Sequence, residues 1–187
     1  MMKKLLLLVM TVLCLSGMAV ASAAEGHKIA VVPYLNTSEE TKGYVADTVK
    51  EGYTDYFAKE GMTVLSKEQT EAALTKAGYV VADQMLPDKD MMENVAKSTG
   101  ADYVVALEVA DLKSTRHMAY FSNKVNTTAK LKYHFYNAAT GKMVAFQTTA
   151  ANNNKAVMVG MRSYKGSITA ALQETLEKGN ERIKGLL

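Results

Sequence analysis

Tryptophan is absent, proline occurs only as Pro33 and Pro87, and cysteine only as Cys14, in a chain of 187 residues. Cys14 lies in an apolar leader behind Val12 and Leu13. Lipid attachment needs small residues at those places, so the chain does not read as a lipoprotein. Past the leader there is no thiol, which excludes a disulfide, a cysteine metal site and a thiol nucleophile. Charge of one sign is also missing. The formal net charge is +3, and it falls to +1 without Lys3 and Lys4. That leaves no broad electrostatic reason to seek nucleic acid or anionic lipid. Glycine is absent from Tyr34–Leu35–Asn36–Thr37–Ser38–Glu39–Glu40, where a dinucleotide-binding turn would need it, and two carboxylates stand there instead. No serine sits in a nucleophile elbow. His27, His117 and His134 have no zinc-site spacing. No enzyme activity and no cofactor are expected.

What is present begins with Lys3 and Lys4, followed by an apolar run from Leu5 to Val20 and small residues Ala21, Ser22, Ala23 and Ala24. This is the order of a secretory signal peptide over residues 1–24, cut after Ala24 or after Ala23. The run is too short for a spanning helix, which needs about 20 apolar residues. Residues 25–187 then form one domain in the periplasm or secreted beyond it, with no membrane span after cleavage. Domains of that size bury roughly two-thirds of their unfolded surface.

Hydrophobic period assigns the elements. Lys28–Pro33 is apolar and β-branched, a buried strand. Thr37 and Glu40 have capping-box spacing and predict a helix from there to about Lys59, with Val45, Val49, Tyr53 and Tyr56 inward. Met62–Leu65 is a short strand. Ser66 and Gln69 form a second capping box before a helix to Ala77, and Tyr79–Pro87 is a linker. Asp88 caps a helix with Met92, Val95 and Ala96 inward, and Asp102–Val109 is the central strand. From Val125 to Phe135 apolar or small residues alternate with Asn126, Thr128, Lys130, Lys132 and His134, a strand with one wet face. Asn137–Lys142 turns into a return strand over Met143–Thr149. Asn152–Asn154 reads as a loop, and an amphipathic helix follows from about Tyr164. The fold class is α/β, with one mixed sheet. Its first strands are parallel, a hairpin adds antiparallel strands, and helices cover it.

Candidate functional residues are few. Glu108 interrupts an apolar strand and marks that strand's exposed end, with a catalytic role as the weaker alternative. His134 reads as solvent-facing, and His117 as part of a solvated loop or a strand end. Cleavage after Ala24 would leave Glu25–Gly26–His27 at the new amino terminus. The free amine, two amides and the His27 imidazole could then hold Cu(II) or Ni(II). The wet hairpin face (Asn126, Lys130, Lys132, His134) and the Arg116–His117–Tyr120 loop are the candidate partner-binding surfaces.

Three phrases, in order, carry a resemblance. They are Ile29–Ala30–Val31–Val32–Pro33–Tyr34, Gly100–Ala101–Asp102–Tyr103–Val104–Val105, and Phe135–Tyr136–Asn137–Ala138–Ala139–Thr140–Gly141–Lys142–Met143–Val144. Together they resemble the curli assembly/transport (CsgG-type) lipoprotein family. They are similar also to its envelope relatives, the penicillin-binding-protein activator lipoproteins and the amino-terminal domain of TolB. The chain departs from them in lacking the lipid-bearing cysteine and in carrying Ala106–Leu107 where a glycine is usual. Leu112–Lys124 is too short and irregular for an inserted pore hairpin of about 9–11 residues per strand. The resemblance implies a non-enzymatic envelope domain that binds other proteins of unstated identity, with self-association left open. An envelope protein binding a small ligand or metal is the alternative.

Overall fold

The computed structural model describes residues 26–119, 122–157 and 164–187. One mixed sheet organises them. Its strands are β1 (Lys28–Val31), β2 (Leu35–Asn36), β3 (Thr63–Val64), β4 (Tyr103–Ala119), β5 (Ser122–Asn137) and β6 (Lys142–Val157). They are ordered β3-β1-β4-β5-β6, with β2 beside β4. β1 runs parallel to β3 and β4, and β2 parallel to β4, while β4, β5 and β6 form an antiparallel meander. The expected mixed sheet is therefore present, and the first and central strands are adjacent, with Ile29 opposite Tyr103.

Helices cover both faces. On one face lie α1 (Gly43–Val49), a π-helical turn (Lys50–Thr54), α2 (Tyr56–Lys59) and α5 (Tyr164–Lys184). They bury Val49, Tyr53, Phe57, Leu172 and Leu176 against Val105, Leu107, Leu131, Tyr133 and Phe135. On the other, α3 (Lys67–Lys76) and α4 (Lys89–Thr99) bury Leu74, Met92 and Val95 against Ala30, Val104, Ala106 and Tyr136. The side-chain alternation of a strand divides these two sets.

Local chemistry accounts for the helix starts. Ser66 accepts from the Gln69 amide while the Gln69 side chain accepts from the Ser66 amide, a complete capping box. Asp88 Oδ1 accepts from the Met91 amide at 2.9 Å. Gly141, at φ +63°, closes the β5–β6 turn in a conformation that glycine adopts without strain.

Four expectations need correction. The capping box at Thr37 and Glu40 does not form. Leu35–Asn36 instead extends the sheet as β2, Asn36 Oδ1 accepts from the Ser38 amide, and the helix starts at Gly43. β4 does not stop at Val109: the expected loop at Lys113–His117 is strand. Asn152–Asn154 is likewise strand, inside β6. Along β4 a register shift between Val109 and Asp111 reverses the alternation, so that Leu112 faces the same core as Val109. Glu108 is consequently mid-strand and buried, not an exposed end.

Candidate functional site

Past the ends of α3 and α4, one face of β4–β5–β6 has no helix over it among the described residues. The even residues of β5 point there, opposite to buried Leu131 and Tyr133, and bring Lys130, Lys132 and His134 onto one surface with Glu108. Glu108 and Lys132 are direct cross-strand partners. Lys132 Nζ lies 3.2 Å from Glu108 Oε2, and the Thr37 hydroxyl donates to Glu108 Oε1 at 2.7 Å. A buried carboxylate must be paired, and these two donors do it. Glu108 is thus a structural pin between the β2 loop and the sheet. Next along the face, Lys130 stands opposite Asp111, and Lys113 Nζ lies 3.9 Å from Asp111 Oδ1.

His134 is not plainly solvent-facing. It is half-buried, and its Nδ1–H donates to the Pro87 carbonyl at 2.8 Å. A carbonyl can only accept, so the proton sits on Nδ1. The contact brings the Tyr79–Pro87 segment to the edge of the open face. That segment is a built loop. Val81–Asp83 is one 3₁₀ turn, Gln84 stands at φ +52°, and the Tyr79 hydroxyl donates to the Met85 carbonyl at 3.0 Å. It holds three apolar side chains in solvent: Val80 at 50 %, Val81 at 66 % and Met85 at 67 % exposure. Beside them is a recess of about 360 Å³ lined by Tyr34, Leu35, Leu74, Tyr79 and Val81. Reading the sequence as a linker missed this patch, although four apolar residues (Val80, Val81, Met85, Leu86) in so short a connection were its visible signal.

The other predicted residues separate. Arg116 lies past the register shift, on the helix-covered side, with its guanidinium 4.5 Å from the centre of the Tyr164 ring. His117 belongs to β4 opposite Lys124, not to a loop, and Tyr120 falls outside the described residues. Asn126 is half-buried opposite Thr115. His27 is exposed, with Nδ1 3.5 Å from Asp102 Oδ2 and its ring edge-on to Tyr103 at 5.4 Å. The residues on which its amine–amide–imidazole site depends, up to Glu25, lie outside the described ones. Among the described residues no three histidine, aspartate or glutamate side chains stand together as a metal cluster. Nor is any helix there long and apolar enough to cross a membrane.

Burial sets the ionisation of two central phenols. Tyr53 and Tyr133 are both pushed well above the usual phenol range by removal from water. Tyr53 is a packing residue with a polar task. Its hydroxyl reaches the Val32 and Val105 carbonyls, each at 2.9 Å, and ties the π turn to the residue after β1 and to β4.

No family model and no curated protein matches the sequence. Solved structures superpose on this chain. The hypothetical protein CT253 from Chlamydia trachomatis superposes with a TM-score of 0.55 at 13 % identity, covering 86 % of this chain and 96 % of that one. Lipoprotein GNA1162 from Neisseria meningitidis superposes at 0.48 and 17 % identity, covering 85 % and 99 %. The LpoB C-terminal domain from Escherichia coli superposes at 0.44 and 18 % identity, covering 74 % and 91 %. The Chlamydia likeness is one of fold.

Proposed function

We propose that this chain is an exported, non-enzymatic domain of the cell envelope that docks onto another protein through the open face of β4–β6 and the adjoining Tyr79–Pro87 loop. The observation that carries the reading is the exposure of Val80, Val81 and Met85 on a loop held by its own hydrogen bonds beside a charged sheet face. Exposed apolar side chains grouped beside polar ones are the usual anatomy of an interaction site. The leader at residues 1–24 supports export, and the three phrases quoted above support a curli-type or activator-type kinship. The acid–base inventory of the site supports the non-enzymatic part. Its buried carboxylate, Glu108, is engaged by Thr37 and Lys132, and its histidine is held by Pro87.

Lys130, Lys132 and His134 would supply the polar edge of the docking surface and the loop its apolar centre. Arg116 would act indirectly, by holding Tyr164. The His27 site is a separate proposal that exists only for a chain beginning at Glu25. The intact mass of the secreted protein decides it, because a start at Ala24 moves His27 out of third position.

The docking reading is tested by affinity enrichment from the native envelope with wild type and a Val81→Asp/Met85→Asp variant. Wild type should retain one defined protein at near-stoichiometric yield, and the variant should lose it while keeping its melting temperature. Equal recovery by both would reject this surface.

A further inference from the structure

β6 ends the sheet, and among the described residues no further strand lies beside it. The direction of its backbone groups follows from the ladder. The Ala138 amide donates to the Asp102 carbonyl at 2.9 Å, one step beyond the Tyr103–Asn137 pair. Bonded pairs alternate along an antiparallel ladder, so even residues of this part of β5 turn their N–H and C=O toward β4 and odd ones toward β6. Across β5–β6 the bonded pairs are then Phe135–Val144 and Tyr133–Phe146. The N–H and C=O of Met143, Ala145 and Gln147 point outward, away from the sheet. Lys178 agrees with this parity, since its Nζ donates to the Thr149 carbonyl at 3.3 Å.

Sheet edges are ordinarily blunted by a lysine, a proline, a bulge or a short length. Lys178 is such a guard, and it acts at Thr149. From Met143 to Gln147 there is no charge and no proline, and the β5–β6 register runs unbroken. Ala145 and Gln147 are exposed. Another extended backbone presents donors and acceptors at the spacing of these outward groups. Charge beside the edge sets the chemistry of that backbone's side chains. Lys142, Val144 and Phe146 share the side of β6 that faces α5, and the Arg182 guanidinium lies 4.6 Å from the centre of the Phe146 ring. Neither Lys142 nor Arg182 is in an ion pair among the described residues. A second copy paired along this stretch would set these cations against their own duplicates, whereas a strand with carboxylates on that side would match them.

We propose that the Met143–Gln147 edge of β6 receives an extended acidic segment of another protein as an added strand. Its backbone bonds to the outward N–H and C=O groups. Its carboxylates stand beside Lys142 and Arg182, and its aliphatic side chains lie beside Met143 and Ala145 on the other side. This edge does not depend on the Tyr79–Pro87 loop, and either surface can fail without the other.

Fluorescence anisotropy with a labelled, amidated peptide of four Glu-Val repeats tests the proposal on the purified protein. Wild type should bind it saturably, and a peptide of four Lys-Val repeats should bind more weakly. Ala145→Pro removes an outward N–H that the sheet itself does not use, so the variant should keep its melting temperature while affinity falls roughly tenfold, the scale of a lost main-chain bond. Lys142→Glu, at an exposed position, should weaken binding roughly threefold and gives a second reading if the proline variant fails to fold. Hydrogen exchange at the Ala145 and Gln147 amides should slow when the Glu-Val peptide is present. The Val81→Asp/Met85→Asp variant should bind as wild type does. Absence of saturable binding, equal affinity in Ala145→Pro and Lys142→Glu, or unchanged exchange at both amides would each overturn the proposal. So would a wild-type dimer that Ala145→Pro renders monomeric in sedimentation, which would assign the edge to a second copy.

Discussion

Glu108 and Lys132 form an ion pair of unequal members: the carboxylate is buried at mid-strand, and the ammonium across the ladder reaches solvent. The inequality sets an order of mutational costs. Lys132→Met leaves a buried charge with Thr37 as its remaining donor and should cost about 1–3 kcal/mol. Glu108→Gln leaves an ammonium that water can take up and should cost less. Adding Glu108→Gln to Lys132→Met should recover part of the loss. Denaturant midpoints of the four proteins check this; a Glu108→Gln penalty equal to that of Lys132→Met would show the carboxylate to be well hydrated.

Gly179 on α5 packs directly against Tyr133 on β5, where a Cβ would overlap the phenol hydroxyl and Cζ. Both are buried. Gly179→Ala should therefore destabilise by about 1–3 kcal/mol through overpacking, although alanine favours helix. Gly43, whose Cβ would meet nothing within 4 Å, is the matched control: Gly43→Ala should be neutral or stabilising.

Tyr53 and Tyr133 predict an alkaline limit to stability. Burial raises both phenols in the folded chain, while in the unfolded chain they titrate near their ordinary value of about 10. Below that value both states are protonated and the contribution is complete. Above it the unfolded state loses protons first, so stability falls as pH rises and continues to fall until the folded phenols ionise. Melting temperature should decline from pH 10 to 11 and should decline less steeply in Tyr53→Phe. That variant should also lose about 1 kcal/mol at neutral pH with its bonds to the Val32 and Val105 carbonyls. Equal slopes for wild type and Tyr53→Phe would contradict this.

Much of the fold is legible in the sequence where period and capping agree. The Ser66/Gln69 box, the Asp88 cap, the inward Met92, Val95 and Ala96, and the alternation from Val125 to Phe135 all stand as read. Legibility ends where a tertiary partner overrides local preference. Thr37 has the chemistry of a helix cap, but Glu108, 71 residues away, takes its hydroxyl. The distal half of β4 is hidden by the shift at Val109/Asp111 and by hydroxyl pairs, Ser114 with Thr127 and Thr127 with Ser167, that fill an interior with polar groups. The set Lys130, Lys132 and His134 is legible as one face because one strand carries it. Arg116 parts from it because a single-residue slip sends it to the other side. The Val80–Met85 patch needed the tertiary contact between Pro87 and His134 to place it beside that face.

A photo-crosslinking amino acid at position 85, with a second protein carrying it at the exposed helical position 174, puts the docking account to its most direct test in living cells. Position 85 should yield one discrete heavier adduct, and position 174 none. Adducts of equal yield from both positions, or from 174 alone, would contradict it.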